Sequence, residues 1–370
     1  MPVSISGTNG VTFPDSSLQA AAASPFGLKN RLINADMRID QRNNGASVSL
    51  PVGTATELYP IDRWAIFKGT AGGFTGQRST LAPAGFTNSI QFTVTNAVTP
   101  ASTDFFGVRQ NIEGLNVDDL GWGTANAQTV TLSFWIRCSV TGTFNWSLMN
   151  SAETRGYVAS FTVNSANTWE YKRLTIPGDT SGTWLTNNGV GVRVYLDLGT
   201  GSTYSTTAGS WQTFNFAYGL TGGTKFIANA GATMNITGVQ LEIGTSATPF
   251  ERRMYNQELA NCQRYYYKTA GDSYGNGFCD STTGAIGLTP FATTMRIAPT
   301  ALEQSGTASH YAVRRAASTN TTCSSVPTFN TATANMGETV FTVASGLTAG
   351  QGIILRSLSA SSYLAWSAEL

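Results

Sequence analysis

The sequence predicts an all-β protein: a jelly-roll β-sandwich, then a short helical neck, then a second small β domain. Three observations carry this. Apolar and polar residues alternate along most of the 370-residue chain, the period of a strand with one buried face. Thr, Val, Tyr, Phe and Trp fill the alternating runs, and Gly-rich interruptions separate them, with 39 Gly in all, as suits many strands joined by turns. A single segment, residues 251–268, abandons the alternation and repeats apolar positions at helical spacing.

Residues 1–29 form a separate piece. Two short β runs, Val3 to Ile5 and Val11 to Phe13, are broken by Gly7 and Gly10, and an alanine run and Pro25-Phe26-Gly27 follow. So little apolar surface cannot build a core alone. The segment is expected either to be a disordered leader or to order against sister chains or another protein as an anchor.

Residues 30–250 carry the sandwich. Strands are predicted at Arg31 to Asn34, Arg63 to Lys68, Ser89 to Val94, Phe105 to Ile112, Thr129 to Cys138, Gly142 to Met149, Arg155 to Val163, Trp169 to Ile176, Gly189 to Leu198, Trp211 to Phe216 and Thr233 to Ile243. In the Thr129 to Cys138 run, Val130, Leu132, Phe134 and Ile136 share one face. Thr129, Thr131, Ser133 and Trp135 share the other. Long Gly/Ser/Thr connections between such strands favour a two-sheet jelly roll.

Residues 251–268 are the predicted neck. Tyr255, Leu259, Cys262 and Tyr266 fall at i, i+4, i+7 and i+11, one face of a helix. On this phase Leu259→Asp is expected to disturb a buried interface, and Glu258→Gln, one position off the stripe, to do little. Tyr265, Tyr266 and Tyr267 exceed what a single helix face can bury, so copies of the chain around an axis are expected to take up the rest. Residues 269–370 read as the second β domain, with strands at Tyr274 to Cys279, Ala285 to Phe291, Ala308 to Arg314, Glu338 to Ala344 and Gly352 to Leu358, and an alternating strand over 361–370.

Composition narrows the function. Charged residues make up 12% of the chain and net charge is +1, about half the usual charged fraction and no field to draw nucleic acid or an anionic membrane. No run approaches the roughly 20 apolar residues of a membrane helix. Met1 is followed by Pro-Val-Ser-Ile-Ser, without the basic and apolar regions of a signal peptide, so cytosolic synthesis with reduced thiols is expected. Cys138, Cys262, Cys279 and Cys323 lack metal-ligand spacing, and His310 is the only histidine. Neither a structural metal nor a disulfide nor a cofactor is expected.

Two sets of motifs resemble known families. The order NRLINAD, Asp62-Arg63-Trp64, TVTLSFWIR, Thr168-Trp169-Glu170-Tyr171, Ser210-Trp211-Gln212-Thr213-Phe214 and ITGVQLE is similar to CenC-type carbohydrate-binding jelly rolls. The passage from GVQLE into CQRYY, at residues 238–266, resembles a junction in tailed-bacteriophage virion proteins, and GVTFPD near the start looks like phage-fibre attachment segments. The resemblance implies a virion appendage, a tail fibre or tip, that adheres to host surface glycans. It would attach to other virion proteins through residues 1–29. A homotrimer is expected. An architectural head-fibre, collar or decoration protein is the alternative, and a depolymerase tailspike a further one.

Sugar recognition asks for exposed aromatic faces flanked by amides. Trp64, Trp135, Trp169 and Trp211 stand in or at strands and are read as core. Trp122, Trp184 and Tyr204 lie in Gly-rich connections and are the candidate carbohydrate-binding residues. Hydrolysis would need two carboxylates across a cleft. The adjacent pair Asp118 and Asp119 would point apart on a strand, and no GxSxG, P-loop or HExxH sequence occurs. The protein is therefore expected to bind rather than to catalyse.

Overall fold

A computed structural model describes residues 29–50, 53, 56–315 and 319–370, and the backbone of three short strands before them, β1 (Ser4–Ser6), β2 (Gly10–Thr12) and β3 (Leu18–Gln19). These three pair antiparallel. The rest of 1–28, and with it the anchoring role expected there, lies outside the described residues.

The sandwich strands are β4 (Val48–Ser49), β5 (Thr56–Ile61), β6 (Trp64–Lys68), β7 (Gly73–Ser79), β8 (Ser89–Asn96), β9 (Phe106–Glu113), β10 (Val130–Cys138), β11 (Gly142–Met149), β12 (Arg155–Val163), β13 (Glu170–Ile176), β14 (Val190–Asp197), β15 (Ser205–Thr206), β16 (Trp211–Thr213), β17 (Gly219–Leu220) and β18 (Thr233–Ile243). They make a six-stranded sheet, β13-β10-β18-β8-β7-β4, and a seven-stranded sheet, β16-β12-β11-β14-β9-β6-β5, while β15 and β17 form a small parallel pair. The alternation explains the packing. Val130, Leu132, Phe134 and Ile136 of one sheet are fully buried and meet Trp146, Leu148 and Val194 of the other. Edge-to-face rings fill the centre, with Phe134 and Trp64 at 5.4 and 6.4 Å from Trp146.

The expected opening strand is absent. Residues 31–34 run as irregular chain, because Asn34 and Met37 take left-handed backbone angles (φ 54° and 61°). The Arg31 amide still donates to the Leu241 carbonyl of β18 at 3.0 Å, but beyond it side chains replace a sheet partner: the Ile33 amide donates to Gln110 Oε1 at 2.7 Å and the Leu32 amide to Asn30 Oδ1 at 3.0 Å. Strands β5 and β7 lie in stretches the alternation did not mark, since Pro60 and Gly76 interrupt it.

Beyond the sandwich come α1 (Tyr255–Gln263), β19 (Tyr266–Ala270), β20 (Ser273–Cys279), β21 (Gly284–Pro290), β22 (Glu303–Gln304), β23 (Tyr311–Arg314), β24 (Asn320–Thr322), β25 (Thr328–Thr333), β26 (Met336–Thr342), β27 (Gly352–Ser357) and β28 (Tyr363–Ser367). They form a three-stranded sheet, β19-β28-β22, and a seven-stranded one, β24-β23-β27-β20-β21-β26-β25. Their own core gathers Tyr274, Tyr311, Phe341, Leu355 and Trp366. The terminal strand stops at Ser367, short of the chain end.

The helix corrects the neck reading. It ends at Gln263, and Tyr266 opens β19 opposite Ser367. Tyr255 is exposed, Leu259 is half-buried, and Cys262 is the only member of the expected stripe buried on the helix. Glu258, the position read as off the stripe, is buried. It accepts from the Asn34 amide, from Arg253 Nη1 at 3.2 Å and from Asn261 Nδ2 at 3.3 Å. The periodicity misleads here because a paired carboxylate satisfies three donors that an apolar side chain would strand.

A polar network joins the two β regions. Arg264 forks onto Glu113 (2.9 and 2.6 Å) and Tyr265 Oη donates to the same carboxylate at 2.7 Å. Burial works to raise the Glu113 carboxyl, but the Arg264 and Tyr265 hydrogen bonds outweigh it and hold the group below its usual range. Arg63 pairs with Glu369 and lies over the Tyr265 ring at 3.6 Å, and Asn111 Nδ2 donates to the Leu370 carbonyl at 2.8 Å.

Candidate functional site

The outer face of the six-stranded sheet is built of hydroxyls, amides, a few charged side chains and two aromatic rings. Alternation along β10 turns Thr131, Ser133, Trp135 and Arg137 away from the core. The register places Tyr171 opposite Trp135 and Arg173 opposite Ser133 on β13, and Thr237 and Gln240 opposite Trp135 and Ser133 on β18. Two more strands extend the face with Gln91 and Gln77. Here Gln77 donates to Gln91 at 3.2 Å, and Asn235 Nδ2 donates to Ser89 Oγ at 3.0 Å.

A β-bulge shapes this face into a groove. The register between β10 and β18 slips at Ser133/Trp135, where Gly238 is the extra residue and adopts φ +61°. A Cβ at Gly238 would stand 2.6 Å from Phe86 Cζ, so only glycine leaves the floor open. The loop after β18 folds back over the face, with Thr248 donating its amide and hydroxyl to Glu242 at 2.9 and 2.6 Å. It forms one wall with Ala247, Pro249 and Phe250. Phe86 meets Phe250 at 5.2 Å, and the Arg252 guanidinium lies 4.7 Å above the Phe86 ring and donates to the Gly85 carbonyl.

Between these walls is an open groove of about 520 Å³ lined by Phe86, Ser133, Trp135, Tyr171, Phe250 and Arg252 among others. Its size falls in the range of small-ligand sites. Trp135 and Tyr171 stand side by side, ring centroids 5.4 Å apart and planes 44° from parallel. Tyr171 is 42% exposed although it is a large ring on a strand. Among the described residues that line the groove there is no carboxylate, and the surface offers rings to stack on and polar groups to pair with.

The three residues singled out from sequence occupy other places. Trp122 is buried, 7% exposed, with its indole N–H donated to the Gln128 carbonyl at 2.8 Å. The expectation of exposure fails because its Gly-rich loop is pinned, Gly123 N donating to the Asp179 carbonyl at 2.7 Å. Trp184 is half-buried at 4.8 Å from Trp122, and Trp211 closes the triangle at 5.2 and 5.4 Å. Beside Trp122 and Trp184 is a cavity of about 160 Å³ that Asp118 and Thr186 also line. Tyr204 sits in a different aromatic cluster, with Phe105, Phe216 and Tyr218 on the outer face of the seven-stranded sheet.

Sequence reasoning missed Trp135 and Tyr171 as a pair. The signal was present, since Trp135 shares its face with three hydroxyl residues. A tryptophan in phase with Thr131 and Ser133, rather than with Phe134, belongs on the solvent side. Phe86 and Arg252 come from loops 160 residues and more apart, and no local pattern joins them.

No family model matches the chain, and no curated protein matches it. Solved structures similar to it include carbohydrate-binding modules and a phage tailspike domain. The enzymatically active domain of bacteriophage CBA120 tailspike protein 4 is 10% identical with a TM-score of 0.29, over 58% of this chain and 21% of that one. The CBM22-1 xylan-binding domain of Paenibacillus barcinonensis Xyn10C is 13% identical with a TM-score of 0.26, over 56% of this chain and 99% of that one. The family 11 carbohydrate-binding module of Clostridium thermocellum Lic26A-Cel5E is 12% identical with a TM-score of 0.29, over 54% and 99%. The sandwich assignment itself rests on the strand order and register above.

Proposed function

We propose that this protein is a glycan-binding adhesion protein that uses the Trp135–Tyr171 groove, and that it serves as a fibre, tip or similar appendage of a tailed-bacteriophage virion. One observation supports the binding reading above all: an exposed tyrosine paired with a tryptophan on a strand face otherwise made of polar side chains. Sugar rings offer C–H faces that stack on aromatic rings, and hydroxyls that amides and guanidinium groups pair with. Arg252 lines the groove, and Arg173 stands opposite Ser133 on the same sheet face.

The virion role draws on the resemblance of residues 238–266 to phage virion junctions. In that role the chain is made in the host cytoplasm and assembles as a homotrimer, with residues 1–29 attaching it to the particle. Each sugar contact is weak, at about millimolar affinity, and several copies on one cell surface convert it into firm attachment. Catalysis has no part in this mechanism.

The test is a glycan array probed with the wild-type protein, with Tyr171→Ala and with Trp184→Ala. Binding lost in the first variant and kept in the second is the expected result. No binding by wild type to any host surface glycan would favour the architectural head-fibre or decoration alternative. Release of reducing sugar from the bound glycan would favour a depolymerase.

A further inference from the structure

The face that bears the groove carries three cations. Arg252 lines the groove itself. Arg173 stands two residues beyond Tyr171 on β13, opposite Ser133, and Arg137 two residues beyond Trp135 on β10. Same-face neighbours along a strand are about 7 Å apart, so one arginine flanks the ring pair toward each end. Arg173 and Arg252 are exposed and Arg137 is half-buried. Among the described residues, none of the three meets a carboxylate. The acid on the same face, Glu242 opposite Thr131, is buried, and the Thr248 amide and hydroxyl and Gln240 Nε2 take both of its oxygens.

This charge is local to the face. The chain is charged at only 12% of its residues and its net charge is +1, so the cluster is no overflow from a basic protein. Elsewhere in the sandwich Arg31, Arg109 and Arg155 each pair with a carboxylate, on Asp119, Glu57 and Asp179. Arg252 is moreover fixed in advance. Its guanidinium lies 4.7 Å from the Phe86 ring centroid and 5.7 Å from that of Phe250, and Nη2 donates to the Gly85 carbonyl. That leaves most of its five N–H donors unspent. A cation already held by rings and a carbonyl loses little freedom when an anion docks, and a guanidinium fork matches the two oxygens of a carboxylate.

We infer that the glycan taken by the Trp135–Tyr171 groove is acidic, a chain whose sugars carry carboxylate groups as uronic and sialic acids do. A sugar stacked on the two rings presents its carboxylate to Arg252, and acidic units on either side of it reach Arg173 and Arg137. This ligand class rests on the groove as the glycan site and adds the charge of what binds there. A neutral glycan would leave three permanent cations beside the ligand without a counter-charge.

The test is an array of uronate- and sialate-containing oligosaccharides, each printed beside its carboxyl-reduced, neutral counterpart. Wild type is expected to prefer the acidic members by about tenfold or more, and to lose much of that preference at about 1 M salt, where the screening length falls to about 3 Å. In Arg252→Gln the acidic form is expected to lose about tenfold and the gap between the two forms to narrow, whereas Trp135→Ala weakens both forms alike. Arg173→Gln, at an exposed side chain with no described partner to strand, narrows the gap by a few fold with unchanged melting. Equal binding of the acidic and reduced forms, or binding confined to neutral ones, overturns the acidic ligand and leaves the groove standing as a glycan site. A preference for acidic members that neither arginine variant narrows overturns the assignment of the charge to this face. No binding by wild type to any member overturns both the acidic ligand and the groove.

Discussion

At the level of single residues, two positions decide what the groove can hold. Gly238 gives up its side chain so that Phe86 can close one end, and its φ of +61° is one that other residues adopt at a cost. Gly238→Ala is expected to destabilise the sandwich by about 1–2 kcal/mol from backbone strain and to weaken glycan binding by pushing Phe86. Urea midpoints together with titration of the bound glycan check both effects. A second residue, Asp62, is buried at the junction with Gln41 Nε2 at 2.8 Å, while Oδ1 has no hydrogen-bond partner. Burial pushes its carboxyl up to about 6, against the pull of Gln41 and Arg42. A folded-state value above the unfolded one means the native state holds the extra proton, so this group's contribution falls as pH rises from about 4 to about 6. Asp62→Asn is expected to flatten that part of the stability–pH curve. An unchanged slope in chemical denaturation between pH 4 and 7 would count against it.

At the scale of elements, most strands were legible, and the helix was legible in its place but not in its phase. Val130, Leu132, Phe134 and Ile136 could be placed because one buried face forces period-two alternation, and the structure keeps them in the core. Irregular chain at 31–34 escaped because amide and carboxylate side chains take the Leu32, Ile33 and Asn34 amides, and the Arg31 amide alone reaches a strand, at the Leu241 carbonyl. The helix phase failed for a related reason: Glu258 and Arg253 bury a charge pair where only apolar residues were sought. Glu258→Ala is accordingly expected to cost about 3–5 kcal/mol, the penalty for stranding one partner of a buried pair. Leu259→Asp, on a half-buried side chain, is expected to cost less. Thermal melts of the two variants, ranked in the opposite order, would contradict this packing. The groove was half legible. Trp135 could be assigned to the solvent face from its phase, but its partners Phe86 and Arg252 are brought in by loops that obey no period.

At the scale of the whole molecule, the two β regions share a buried polar seam rather than a flexible tether. Arg63, nearly inaccessible, is held by Glu369 and by the Asn111 carbonyl, and Glu113 is held by Arg264 and Tyr265. Burying carboxylates and guanidinium groups this deeply is costly unless they are paired. The regions are therefore expected to unfold together. Scanning calorimetry of the wild type should give one transition, and Glu369→Ala should split it in two. Two transitions in the wild type would mean the seam contributes little. Such rigidity suits an adhesion protein, since it holds the groove of the first β region in a fixed relation to the second.

The proposed glycan binding rests on the Trp135–Tyr171 face. Its direct test is equilibrium binding of host surface glycan by the wild type, Trp135→Ala and Tyr171→Ala, with melting temperature read on the same samples. Both rings lie outside the sandwich core, so each variant is expected to melt within a few degrees of wild type and to lose binding by about tenfold or more, the loss of roughly 1.4 kcal/mol. Wild-type affinity retained in both variants would contradict the assignment of this groove.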